Sequence, residues 1–156
     1  MTPISSAIVK EFAPSGTLKA AINQGNSVLA QKGPNGEALG ITVELARELA
    51  KRLGVPVELV IFDGAGKAFD ALKSGATDIG FLAIEPVRAA EVDFTAPYVL
   101  IEGTYMVPKD SALQTIDDVD RTGVRIGVNK GSAYDLYLTR TLKNATLVRS
   151  TSPEGA

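Results

Sequence analysis

The chain has 156 residues, with 16 Lys or Arg, 18 Asp or Glu, no Cys and no His, for a formal net charge of −2. These absences exclude disulfides, thiolate nucleophiles, Cys- or His-ligated metal and a Ser-His-Asp triad, and leave acid–base chemistry to Asp, Glu, Lys or Tyr. The slightly acidic balance argues against nucleic acid as a partner, and a hydrophobic content of 45% suits one globular domain or two small lobes.

Residues 1–16 read as irregular. They have no charged segment followed by an apolar run, so the given sequence shows no signal peptide. No stretch approaches the ~20 apolar residues that cross a bilayer. A first strand is expected at 18–22, and Gly33-Pro34-Asn35-Gly36 is a turn signal, because Asn-Gly accepts positive φ cheaply. The clearest helix is 41–53, where Ile41, Leu45, Leu49 and Leu53 recur every four residues as one apolar stripe. Glu48 and Arg52 are spaced to pair on its exposed side, and Gly54 and Pro56 close it. A buried strand at 56–62, a helix at 65–74 ended by Gly75, and a strand at 78–84 with both faces covered follow. Pro86 suits the first position of a short helix, and 101–107 reads as another strand. The pattern then restarts: a short helix at 116–119, a strand at 124–128, a helix at 132–142 and a strand at 145–148. Residues 152–156 look like the start of one more helix. Alternating strands and helices predict an α/β fold with parallel pairing.

Two strand-to-helix junctions stand out as candidate sites. In the first, Glu85-Pro86-Val87-Arg88 opens a helix directly after a strand, which places a guanidinium beside free backbone N–H groups and suits a carboxylate. The plainer alternative is a surface Arg88 paired with Glu85 or Glu91. In the second, Gly131 allows close approach to the backbone, and Ser132 with Asp135 forms an S-x-x-D capping pattern; the plainer alternative is a capped helix and nothing more. Open α/β sheets bind ligands at the carboxyl ends of their strands, which gives the two junctions more weight together than apart. Gly64-Ala65-Gly66-Lys67 lacks the first Gly and the Ser or Thr of a phosphate loop. Asp117, Asp118 and Asp120 lack calcium-loop spacing and read as a solvated helix start. No metal site, cofactor or catalytic residue is assigned.

Several segments, in order, resemble the extracytoplasmic solute-binding proteins of family 3, the polar amino-acid receptors of bacterial ABC transporters. Gly36-Glu37-Ala38-Leu39-Gly40-Ile41-Thr42-Val43-Glu44-Leu45-Ala46 is similar to the family's DG-x-x-x-G-F-D-V-D-L-A segment, and Ala71-Leu72-Lys73-Ser74-Gly75-Ala76-Thr77-Asp78 to its ALKSGKVD. The run from Pro86 through Arg88 and Asp93-Phe94-Thr95 to Pro97-Tyr98 is similar to PER-x-x-x-VDFS-x-PY. Ile116-Asp117-Asp118-Val119, Ile126-Gly127-Val128 and Gly131-Ser132-Ala133 resemble the later LDDL, VGV and GTT motifs. The resemblance implies a periplasmic-binding-protein-like, two-lobed clamshell: 1–105 as the first lobe and 106–156 as an incomplete second lobe. The chain would then be the first portion of a longer binding protein, lacking the elements that return to complete the first lobe.

The same resemblance implies a ligand site in which Arg88 pairs with the ligand carboxylate, the backbone of Leu82 and Ala83 contacts the ligand, and Ser132 and Ala133 donate backbone N–H groups. Ala83 stands where the family often has a hydroxyl. Asn26, in the run from Asn23, stands near the family's stacking aromatic, which suggests a smaller or more polar solute. The implied function is binding of an amino acid or related carboxylate for delivery to an ABC permease, in the periplasm. The alternatives are a cyclohexadienyl-dehydratase-like enzyme, for which Glu85 is the one placeable carboxylate, and the ligand-binding module of a sensor. Exposed strand edges of an incomplete lobe predict self-association.

Overall fold

The computed structural model describes residues 4–151; the expected helix start at 152–156 lies outside them. The chain separates into two compact units, one running to Ala83 and the other from Ile84. Each is α/β, as expected.

The first unit is built on a three-stranded parallel sheet. β1 (Leu18–Asn23) lies between β4 (Val57–Phe62) and β5 (Ile79–Gly80). Leu18 is level with Val57, and Ala20 with Ile79. Only the central strand is covered on both faces, with Leu18, Ala20, Ala21 and Ile22 all buried. The expectation of fully buried strands at 56–62 and 78–84 is therefore corrected. β4 has no fully buried residue, with Glu58 and Ile61 exposed and the rest half-buried, and regular pairing at 78–84 is confined to Ile79–Gly80; each of these strands has one neighbour among the described residues. A small antiparallel hairpin, β2 (Gln31–Lys32) with β3 (Ala38–Leu39), encloses the turn read at Gly33 to Gly36.

Two departures in this unit concern helices. Residues 1–16 are not wholly irregular: α1 (Ser6–Phe12) starts at Ser5, whose side chain accepts from the Ile8 amide, and its Val9 packs on Ala13, Leu18, Ala50 and Leu53. On α2 (Ile41–Leu53) the expected stripe is misplaced. Thr42, Val43, Ala46, Ala50 and Leu53 are buried, whereas Ile41 and Leu45 are exposed. Strict spacing by four drifts around a 3.6-residue helix, and the small residues let the helix approach Ala20 and Ile22 closely. Glu48 and Arg52 form the expected surface pair at 2.8 Å. α3 (Ala65–Lys73) ends in a Schellman motif: the Gly75 amide donates to the Leu72 carbonyl and the Ala76 amide to that of Ala71, with Gly75 at φ 74°. Thr77 follows this cap, buried, on the way into β5.

The second unit holds α4 (Pro86–Ala89), the 3-10 turn η1 (Ile116–Asp118), and a parallel pair, β6 (Arg125–Asn129) with β7 (Thr146–Ser150), joined through α5 (Ala133–Thr141). Its core is Val119, Ile126, Val128 and Leu138, flanked by Tyr105, Val124, Leu142, Ala145 and Leu147. The strand expected at 101–107 is absent: that segment has no regular structure, and Leu100 and Met106 are 87% and 97% exposed. β-propensity alone does not make a strand without a neighbour to bond it. The acidic run is accounted for by the backbone. Asp118 closes a capping box with Thr115, and Asp120 accepts from the amides of Lys143, Asn144 and Ala145. These bonds hold both carboxyls below the usual aspartate range.

Candidate functional site

The residues singled out from sequence fall in both units. In the first, Asn23 ends β1, and Asn26 sits in the turn after it. Both side-chain oxygens have local work: Asn23 Oδ1 accepts from the Gly25 amide at 3.0 Å, and Asn26 Oδ1 from the Val28 amide at 3.2 Å. These are Asx turns, which fix the loop at the carboxyl end of the central strand. A Cβ at Gly25 would come within 2.5 Å of the Asp63 carbonyl, so this loop and the one after β4 pass in backbone contact. Leu82 and Ala83 follow β5, at the same end of the parallel sheet as Asn23. Leu82 is half-buried and Ala83 exposed. The Gly64 to Lys67 segment holds its cation internally, with Lys67 Nζ 2.8 Å from Asp63.

In the second unit the geometry is tighter. Pro86 opens α4, and two residues on, Arg88 is 1% exposed, first among the large, fully buried side chains. Its Nη2 donates to the Gly131 carbonyl at 2.9 Å. Burial pushes its pKa down and the nearby Glu85 carboxylate opposes that; an arginine has margin to stay charged. The surface placement in the sequence alternative is thereby corrected, since this side chain is buried; its nearness to Glu85 agrees with that alternative. Glu85 is also buried, and its Oε2 accepts from Arg140, which lies over the Tyr137 ring at 5.3 Å.

Gly131 has φ 73°, a left-handed conformation in which a side chain is strained. That conformation lets its two polar groups meet different partners. The carbonyl meets Arg88, and the amide donates to Asp135 Oδ2 at 2.9 Å. Ser132 then caps α5, its hydroxyl accepting from the Asp135 amide at 3.1 Å. The S-x-x-D pattern thus caps, but not reciprocally, since Asp135 reaches past Ser132 to Gly131. The Ser132 amide is already committed to the Asn129 carbonyl at 3.0 Å. The next amides, Ala133 and Tyr134, are first-turn groups without a helical acceptor. The structure therefore brings Arg88 together with the Gly131 loop beside Ser132 and Ala133. It shifts the available N–H groups one residue along, to Ala133 and Tyr134.

The family model for bacterial extracellular solute-binding proteins, family 3, matches residues 18–153. The chain belongs to that family. Among curated relatives, the L-cystine-binding protein TcyJ of Escherichia coli K12 is 27% identical over 153 residues, covering 90% of this chain and 56% of TcyJ. A cyclohexadienyl dehydratase of Pseudomonas aeruginosa is 25% identical over 143 residues, covering 86% of this chain and 51% of the enzyme. Among solved structures, the ancestral amino acid-binding protein AncCDT-1, a precursor of cyclohexadienyl dehydratase, superposes with a TM-score of 0.79 at 28% identity, covering 94% of this chain and 66% of that one. The chain spans about half the length of these two curated relatives.

Three residues packed around Glu85 and Asp135, next to Arg88 and the Gly131 loop, escaped the sequence reading. Arg149 sits on β7 with its Nε 2.8 Å from Asp135 Oδ1, and Thr139 donates its hydroxyl to the same carboxylate oxygen at 3.2 Å. Arg140 holds Glu85. The available signal was an Arg beside Leu147 and Val148 in the strand Thr146–Ser150, and an Asp at a helix start with Thr one turn on.

Proposed function

We propose that this chain is the ligand-holding portion of a receptor that binds an amino acid or related carboxylate and delivers it to an ABC permease, outside the cytoplasm. The family supports a solute-binding role, and two of the relatives named above are described as binding L-cystine and an amino acid. The observation that carries the reading is the meeting of the Arg88 guanidinium with the Gly131 carbonyl, beside the N-terminal amides of α5. An oxygen acceptor already meets that guanidinium through Nη2, and a ligand carboxylate would join it there, with the Ala133 and Tyr134 amides as further donors. In this reading the backbone of Leu82 and Ala83 and the loop from Asn23 to Asn26 complete recognition. The lobes run 1–105 and 106–156, and Asn26 in place of an aromatic favours a small or polar solute.

The test is native mass spectrometry of the purified protein, with equilibrium dialysis against an equimolar mixture of the common L-amino acids. A small adduct lost on denaturation, or selective retention that weakens about tenfold or more in Arg88→Lys, supports the reading, because lysine keeps the charge and loses the two-donor fork. Selective retention that is unchanged in Arg88→Lys removes Arg88 from the site. A dehydratase reading finds less support, since the Glu85 carboxylate is held by Arg140; prephenate turnover by the purified chain would reverse that judgement.

A further inference from the structure

We infer that Asp135 and Arg149 are the positioning pair of the Gly131 loop. They set the peptide that meets Arg88 without touching the solute themselves. This rests on the binding role proposed above for that loop. Asp135 is 5% exposed, yet its carboxylate is the meeting point of three donors from three places in the unit. The Gly131 amide reaches Oδ2 at 2.9 Å, and Oδ1 takes the Thr139 hydroxyl at 3.2 Å and Arg149 Nε at 2.8 Å. Arg149 closes the ring by donating Nη2 to the Thr139 oxygen at 2.7 Å. Every group facing this carboxylate is a donor, so only an anion satisfies the set. A buried carboxylate without such partners would be costly, and the ion pair with Arg149 offsets that cost.

The consequence for the site follows from chain connectivity. The Asp135 side chain fixes the Gly131 amide, and the Arg88 guanidinium fixes the Gly131 carbonyl, with the left-handed φ of 73° between them. The direction of the carbonyl offered to Arg88 is therefore set from β7, through Arg149 and Asp135. The same contacts hold Ser132 at the head of α5, which leaves the Ala133 and Tyr134 amides pointing out of the helix end. A neutral side chain of equal shape cannot do this. In Asp135→Asn the amide NH2 would face one of the converging donors, whichever way it turns.

The experiment uses the full chain, 15N-labelled, with hydrogen exchange at the Gly131 amide and dialysis against the same amino-acid mixture. Asp135→Asn and Arg149→Met are expected to speed Gly131 exchange about tenfold or more while the Ile126 and Val128 amides keep their wild-type rates. Loss of a charge-assisted hydrogen bond supports a change of that size. Retention of amino acid is expected to weaken by a similar factor, and Arg149→Lys to recover part of both. Wild-type protection of Gly131 in both variants overturns the inference. So does equal acceleration at Ile126 and Val128, which would mark a purely structural role. If wild-type protein retains no amino acid, the exchange pattern alone decides the positioning role, and what falls is the ligand reading. If Asp135→Asn does not fold, the Arg149 pair of variants decides.

Discussion

Thr77→Val is expected to stabilise the first unit. Thr77 is 2% exposed, and its hydroxyl is the buried side-chain polar atom without a hydrogen-bond partner among the described residues. Its backbone amide is held by the Ala71 carbonyl at 3.3 Å, so the residue is fixed from the main chain. The hydroxyl loses water on folding and gains nothing in return, a deficit of about 1–3 kcal/mol. Valine keeps the β-branched shape, removes the orphan and adds a buried methyl. We expect a net gain of about 1–2 kcal/mol, read as a higher urea midpoint with unchanged slope. In a chain of this length that is a rise in Tm of roughly 3–6 °C. Thr77→Ser keeps the hydroxyl and deletes the methyl, and should lose about 1 kcal/mol. A midpoint that is unchanged or lower in Thr77→Val refutes the reasoning, because it would mean that the hydroxyl is satisfied in solution.

Gly131→Ala forces a Cβ into a left-handed conformation, and a loss of about 1–2 kcal/mol in urea unfolding is expected; no loss would show that the loop relaxes elsewhere. Asp118 and Asp120 are both held below the ordinary aspartate range, so the stability they contribute is complete above about pH 4 and is lost as pH falls through their folded values. Asp120→Asn should flatten that acid limb in a pH series of thermal melts, and an unchanged limb would remove Asp120 as its source. The exposed Leu100, Met106 and Ile116, with edge strands β4, β5, β6 and β7 each paired on one side, predict concentration-dependent self-association. Sedimentation velocity of a single monomeric species across a wide concentration range would count against it.

The elements legible in the sequence are those whose signals are local. Ser132 marks the start of α5, Gly75 the end of α3, and Asn35-Gly36 the hairpin turn, because each acts within a few residues of itself. What was misread depends on partners far along the chain. Residues 101–107 have strand composition but pair with no strand among the described residues, and Ile41 and Leu45 have the right chemistry on a face that stays partly exposed. The site divided in the same way. Arg88 and the Gly131 loop were visible as two junctions. That one would donate to the carbonyl of the other, and that Arg149 would anchor Asp135 from a strand, are matters of packing that spacing does not encode.

The central place of β1 has a consequence for biosynthesis. It is the first strand of the sheet to leave the ribosome and the most deeply buried in the folded unit, yet its neighbours are encoded much later. The backbone amide of Lys19 waits for the side chain of Asp78, 59 positions on, and Ala20 for Ile79. Closing so long a loop costs little more at equilibrium than closing a short one, about 0.6 kcal/mol for each doubling. In time, however, a strand whose Leu18, Ala20, Ala21 and Ile22 are all buried in the folded unit is exposed throughout translation of the residues that shelter it. β6 and β7, separated by a single helix, face no comparable delay. Nascent chains stalled before Asp78 should therefore depend on chaperones far more than those stalled just beyond it.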